Sequence, residues 1–297
     1  MKQLKEFIKT IAEKPDSLGK LRDTIIPLEQ VEALKKIPRL AMGEIRGIES
    51  MVSAYNALDR SSVDAFLPTI CYTGTEYGEW NTLLKQLNTF KKKIEKTLQI
   101  YCLEPLLVGS PEFWWALNGR FIHELFNRYK IYSPCYGCCL YCYAVRIPLC
   151  KQLNCRIILS GITPSNLSSA AINESQQVMY YCKTLLSNFG INLMYSELYE
   201  KTQAVIKEVD YKETGRIDMC SSCILKENYL SLSKRKEELP NNKKYFEQFL
   251  IPAAAKIISR ALAGETPNYL HEVMNTLQPG ENIKSKKVHN RRTEKIF

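Results

Sequence analysis

The sequence predicts an α/β fold, a parallel sheet with helices on both faces, and three observations carry that prediction. Short apolar runs alternate with stretches of helical period from Leu40 to about residue 196. Parallel neighbours need a long crossover, usually a helix, so repeated strand–helix units of this length fit a parallel sheet. The strand ends carry Gly47–Ser50, Thr73–Gly78 and Gly161–Ser165, and ligands of such sheets bind at the carboxyl ends of the strands. The composition, 45% hydrophobic and 24% charged over 297 residues, is that of a globular protein with ample chain for a core.

In chain order, Leu4, Phe7, Ile8 and Ile11 recur at helical spacing, and Leu28, Val31 and Leu34 follow a break near Pro27. Leu40 to Gly43 is the first strand, and Met51, Ala54, Tyr55 and Leu58 predict a helix from about Ser50. The second strand is Ala65–Tyr72, followed by a helix marked by Leu83, Leu84, Leu87 and Phe90. A third strand is expected over Leu98–Leu103, a helix over 112–130, a cysteine loop at 135 and a helix over 139–153. The strand Arg156–Ser160, a helix near 174–188 and a strand near 191–196 complete the series, and 241–277 is helical. The expected organisation is an N-terminal helical appendage over 1–38 and a cysteine-bearing α/β domain over 39–235. A helical region over 236–280 and a basic tail over 281–297, expected to be disordered, follow.

Eleven cysteines include Cys135, Cys138, Cys139 and Cys142, answered far downstream by Cys220 and Cys223. Two close-set groups far apart in sequence are the usual arrangement when a metal or an iron–sulfur cluster clamps two segments together. No apolar signal region stands at Met1, and no run approaches the roughly 18 apolar residues of a membrane span, so a cytoplasmic protein without membrane contact is expected. In a reducing cytosol such thiols serve metals or catalysis rather than disulfides. Cys71, Cys102, Cys150, Cys155 and Cys182 fall in or beside predicted elements and are expected in the core. Three histidines give little support to a Ser-His-Asp or Cys-His hydrolase, and His123 reads as structural. The net charge of +10, with basic residues at Lys91–Lys93 and from Lys284 onward, suits a polyanionic partner or a solvated surface equally.

The stretch Ile45, Arg46, Gly47, Ile48, Glu49, Ser50 resembles the pyrophosphate loop S-G-G-x-D-S of the PP-loop, or adenine-nucleotide α-hydrolase, superfamily. Arg46 stands at the first glycine and Ile45 at the first serine. The motif works as a nest of backbone N–H groups at a helix N-terminus. Tyr72, Thr73, Gly74, Thr75, Glu76, Tyr77 resembles the D-T-G-x-x-F/Y segment of the phosphoadenosine-phosphosulfate-reductase-like branch. Cys138-Cys139, then Arg146, Pro148 and Leu149, then Ile158 to Ile162 resembles that branch's C-C…P-L…I-x-G passage. Cluster-bearing members pair such a Cys-Cys with a distant C-x-x-C, here Cys220 and Cys223. The match spans residues 39–225. No cysteine follows Cys223, and arginines are missing after Gly161, so reduction of an adenylylated sulfate is not expected.

The resemblance implies a Rossmann-like sheet of PP-loop type and an ATP-dependent enzyme that adenylates its acceptor, releases pyrophosphate and inserts sulfur. It places ATP and Mg²⁺ over Arg46, Gly47, Glu49, Ser50, Thr73, Gly74, Glu76 and Gly161, with Glu49, Ser50 and Cys139 catalytic. Glu49 would hold Mg²⁺, Glu76 would orient substrate or cap a helix, and Arg146 and Lys151 would face an anion. A [4Fe-4S] cluster would take Cys138, Cys139, Cys220 and Cys223. Spacing alone favours Cys135 with Cys138 joined to Cys220 with Cys223, which also suits Zn²⁺. A third arrangement leaves one iron open, with Cys139 or Cys142 as sulfur carrier. The acceptor would be tRNA, DNA or a small metabolite, with a sulfur-donor protein as partner, and a homo-oligomer stays open. Two alternatives remain: a zinc-stapled nucleic-acid-binding or scaffold protein with a non-catalytic nucleotide fold, and a cluster-bearing subunit serving a separate enzyme.

Overall fold

The computed structural model describes residues 2–13, 16–18, 26, 28–130, 133–162, 175–195, 222–225 and 242–278. Its centre is a parallel sheet built from β1 (Leu40–Glu44), β2 (Ala65–Tyr72), β4 (Tyr101–Cys102), β5 (Leu106–Gly109), β6 (Ile157–Leu159) and β7 (Asn192–Met194). The strand order is β4-β2-β1-β6-β7, with β5 continuing alongside β2 beyond β4. The short strands β3 (Glu76–Tyr77) and β8 (Ser222–Cys223) pair antiparallel outside it.

Side chains alternate across the sheet and fill two cores, as a strand buried on both faces requires. Leu40, Met42, Leu67, Cys71 and Val108 join one. Ala41, Ile45, Phe66, Ile70 and Leu107 join the other. The second core is closed by α1 (Lys2–Ala12), α3 (Ile48–Asp59) and α4 (Trp80–Thr97) through Phe7, Ala54, Leu58, Leu83, Leu87 and Phe90. α2 (Leu28–Lys35) instead joins the first core through Val31 and Leu34. That first core also holds α5 (Pro111–Asn118), α6 (Ile122–Tyr129), α7 (Pro134–Ala144), α8 (Ile147–Gln152) and α9 (Gln176–Asn188). The C-terminal α10 (Asn242–Tyr245), a π-helical turn over Phe246–Leu250, α11 (Ile251–Leu262) and α12 (Tyr269–Leu277) bury Phe246, Phe249, Ile257 and Val273 in the same core. The helical C-terminal region therefore packs as part of the α/β unit. The N-terminal appendage is tied in as well: Ser17 exchanges backbone and hydroxyl hydrogen bonds with Gly109.

Several elements differ from their sequence reading for local reasons. The stretch 112–130 is two helices with a turn at Gly119, where a Cβ would lie 2.7 Å from the Trp115 ring. The strand expected over Leu98–Leu103 shortens to Tyr101–Cys102 because Gln99 takes φ 57°, and Leu106–Gly109 supplies the rest of that edge. The cysteine loop is not a loop. Ser133 caps α7 by accepting from Cys135 N at 3.3 Å, and Pro134 occupies the first turn, so all four cysteines are helical. Cys220, the turn residues 163–165 and the tail 281–297 lie outside the described residues, so the tail's expected disorder is not addressed. Among the described residues no helix is long and apolar enough to cross a membrane.

Candidate active site at the sheet reversal

Chain order around β1 runs outward in both directions, to β2 on one side and to β6 on the other. That reversal lies at the carboxyl ends of β1 and β6, where sheets of this kind bind their ligands. Glu44 ends β1 and is fully buried. Arg46 Nε donates to Glu44 Oε1 at 2.6 Å, and Nη2 lies 2.5 Å from the same oxygen. Glu44 Oε2, also buried, has no hydrogen-bond partner among the described residues. Burial works against the Arg46 charge, but Glu44 and the thiols of Cys142, Cys138 and Cys139 more than offset it and raise its pKa well above the ordinary value. Arg46 thus couples the loop after β1 to the cysteine helix electrostatically. Its side chain is still 39% exposed.

Ser50 closes the loop on itself. Its Oγ accepts from Arg46 N at 2.8 Å and Gly47 N at 3.0 Å, and donates to Gly47 O at 2.6 Å. Glu49 is exposed in the first turn of α3, where a carboxylate favours the positive end of the helix. A Cβ on Gly47 would meet nothing within 4 Å, so open space stands over the helix start. Gly161 is set by packing. A Cβ there would sit 2.4 Å from Glu44 O and 2.6 Å from Ser50 Cβ, so its absence lets β6 leave the sheet against the β1 loop.

The loop after β2 is also internally closed. The Glu76 carboxylate accepts from the backbone N–H groups of Thr73 (2.9 Å), Gly74 (3.0 Å) and Thr75 (3.1 Å) and from Thr73 Oγ1 (2.8 Å). Gly74, at φ 86°, makes the turn that points these amides inward. The same loop grips the downstream cysteine segment. Glu76 pairs with Cys223, Ile224 N donates to Thr75 O at 3.0 Å, and Thr75 Oγ1 lies 3.3 Å from Cys223 Sγ.

The helical cysteines diverge. Cys139 is 1% exposed, and its sulfur lies 3.8 Å from Cys182 Sγ of α9. It lies in the packing between α7 and α9. Cys142 is 2% exposed. The neighbouring thiols of Cys138 and Cys71 hold it well below the ordinary thiol range against burial, with Arg46 and Arg146 adding to the effect. Cys138 is raised by the neighbouring Cys142 and then by burial, and Cys71 by burial and then by Cys142. Cys71, read from sequence as core, is 8% exposed and lies in the first core.

Arg146 does not face an anion in solvent. It is fully buried, and its Nε donates to Thr69 Oγ1 at 2.7 Å, its Nη2 to Thr69 O at 3.2 Å, and its Nη1 to Cys142 O. No carboxylate among the described residues pairs with it. Lys151 is exposed at the end of α8, ahead of β6 and so toward the opposite edge of the sheet. His123 is exposed too, beside Asn127 at 2.8 Å. Tyr141 fixes the height of α7, donating to Tyr72 O at 2.8 Å and accepting from Ser110 N at 2.6 Å, while Tyr143 OH meets Ser160 Oγ at 2.7 Å.

Among the described residues no three His, Cys, Asp or Glu side chains converge as a metal cage. Cys135 and Cys223 are both half-buried, and Cys223 contributes to the rise of the Cys135 thiol. Burial pushes the Cys135 thiol up to about 12, with Ser133 pulling the other way. As a donor set, these two thiols with Cys220 suit a soft metal or an iron–sulfur cluster.

The strand order defines a Rossmann-like α/β protein, and its candidate site lies at the reversal beside the cysteine helix. No protein-family model matches the chain. It is 30% identical over 243 residues to a Methanocaldococcus jannaschii protein described as uncharacterized protein MJ0009, covering 80% of this chain and 86% of that one. The chain belongs to the family of that archaeal protein.

Proposed function

We propose that the chain is an ATP-dependent sulfurtransferase acting at the reversal between β1 and β6. The observation that carries the reading is Arg46, which borders the open space over Gly47 and is in electrostatic contact with the α7 thiols. ATP would lay its pyrophosphate over the start of α3, where unpaired N–H groups and the helix dipole favour anions. Arg46 would turn from Glu44 to the phosphates, and Glu49 would hold the accompanying Mg²⁺ from the solvent side. An acceptor oxygen then attacks the α-phosphorus, releasing pyrophosphate, and a sulfur nucleophile displaces AMP from the adenylate. The protein's part in the first step is positioning and charge neutralisation.

Cys135, Cys220 and Cys223 would hold an iron–sulfur cluster, which when bound supplies an iron position without a cysteine ligand to carry sulfur. With a net charge of +10, tRNA or DNA fits as acceptor on electrostatic grounds, and a small metabolite is the other acceptor class this reading allows. The self-closed Ser50 loop favours a second reading, a zinc-stapled nucleic-acid-binding or scaffold protein in which the nucleotide fold no longer turns over.

Pyrophosphate release with candidate acceptors separates the two, comparing wild type with Glu49→Ala and Gly47→Val. The sulfurtransferase reading expects acceptor-dependent release that falls at least tenfold in both variants. Absence of release with every acceptor class would favour the scaffold.

A further inference from the structure

An unbroken hydrogen-bond chain runs from the loop after β2 to the sulfur of Cys223. The Glu76 carboxylate accepts from Thr73 Oγ1 at 2.8 Å, Thr73 Oγ1 lies 2.7 Å from Thr75 Oγ1, and Thr75 Oγ1 lies 3.3 Å from Cys223 Sγ. We propose that this chain positions Cys223 as a ligand of a soft metal, with Thr75 the residue whose hydroxyl orients the sulfur and hydrogen-bonds it once the metal is held. The inference rests on the cluster part of the reading above and is independent of its nucleotide part.

The backbone fixes where the hydroxyl and the sulfur meet. Ile224 N donates to Thr75 O at 3.0 Å, and Glu76 pairs with Cys223 across β3 and β8. Neither contact uses the Thr75 side chain, so the hydroxyl can be removed without releasing β8. Thr75 is 8% exposed, and a hydroxyl so shielded from water keeps its full strength toward the sulfur. Cys223 itself is half-buried, so its sulfur stays reachable. Leu225 N donates to the same sulfur at 3.3 Å. Hydrogen bonds of this kind, made to a ligand atom from outside the coordination sphere, orient the ligand and tune the metal.

A hydroxyl carries one proton, so the chain has a direction. Without metal, Thr73 donates to the Glu76 carboxylate. Thr75 must then donate to Thr73, and the Cys223 thiol to Thr75. Metal ligation takes the thiol as thiolate and releases its proton to solvent, which leaves the sulfur an acceptor. The direction then reverses: Thr75 donates to the sulfur and Thr73 to Thr75. Glu76 gives up one donor but keeps the N–H groups of Thr73, Gly74 and Thr75 at 2.9, 3.0 and 3.1 Å. No carboxylate is left bare, and the ligated sulfur gains two protein donors, Thr75 Oγ1 and Leu225 N.

The test titrates the reduced, metal-free full chain with Co²⁺ under anaerobic conditions and follows the sulfur-to-cobalt charge-transfer absorption. Wild type, Thr75→Val, Thr75→Ser and Cys223→Ser are compared after circular dichroism shows equal folding. Wild type should bind saturably, and Cys223→Ser should bind at least tenfold more weakly. Thr75→Val keeps the shape and removes the hydroxyl. It should lose at least tenfold in affinity and move the charge-transfer band to lower energy, because a sulfur without that donor gives up its electron more readily. Thr75→Ser should restore both, and a merely structural role would leave the band in place. Equal affinity and band position in wild type and Thr75→Val, with Cys223→Ser impaired, would overturn the role of Thr75 and leave the cysteine donor set standing. A wild type without the band, or Cys223→Ser equal to wild type, would overturn the donor set and this inference with it. Should Thr75→Val fail to fold, Thr75→Ala carries the same decision.

Discussion

Gly161 shows how a single missing methyl group shapes the site. With Glu44 O at 2.4 Å and Ser50 Cβ at 2.6 Å from a built Cβ, one of the two obstacles is backbone that cannot swing aside. Gly161→Ala should therefore cost about 1–3 kcal/mol by overpacking, read as a lower urea midpoint at unchanged slope. Gly47 is the opposite case. Its backbone is extended, which any residue adopts, and nothing stands within 4 Å of its Cβ position. The two glycines look alike in the sequence, both following a strand and both read as nucleotide-binding. Only the partner backbone separates a glycine required by packing from one that leaves room. Ser50 was legible as a loop residue, but not its use as an acceptor for Arg46 N and Gly47 N.

At the scale of elements, α7 decides the chemistry. Clustering of its cysteines was plain in the sequence, whereas their directions were not, because a C-x-x-C-C-x-x-C run reads equally as a loop or as helix. Once Ser133 and Pro134 start the helix, Cys139 turns to Cys182. The β3–β8 pairing that brings Cys223 to Thr75 could not be read from two-residue strands. α11 and α12 offer a test that bears on stability alone. Glu272, 3% exposed at its side chain, meets Lys256 at 2.8 Å and Arg260 at 2.7 Å. Burial opposes its charge, but these two cations prevail and its pKa falls below the ordinary 4.5. The stabilisation is complete above the unfolded carboxyl's pKa and is lost as pH falls through the lower folded value. Glu272→Gln should therefore lose stability near neutral pH and approach wild type in acid, seen in denaturant titrations from neutral pH to below the ordinary carboxylate range. A constant difference across that range would rule out the clamp.

For the whole molecule, alternation of apolar runs and helical stretches predicted the parallel sheet, since a doubly covered sheet imposes that pattern on nearly every strand. The functional partner is less legible because charge is not yet a surface. Of the Lys91–Lys93 run, Lys91 pairs with Glu104 at 2.6 Å and Lys93 lies 5.1 Å from the Tyr55 ring centroid, so much of that basic run is committed within the fold. The central claim is that the open space over Gly47, at the sheet reversal, receives a nucleotide's phosphates. Equilibrium binding of Mg·ATP to wild type and Gly47→Val, both checked for equal folding, tests it most directly. The valine fills the open space at a cost to the helix start of about 1 kcal/mol or less. The account predicts saturable binding to wild type and at least tenfold weaker binding to the variant. Equal affinity in the two, or no binding to wild type, would contradict it.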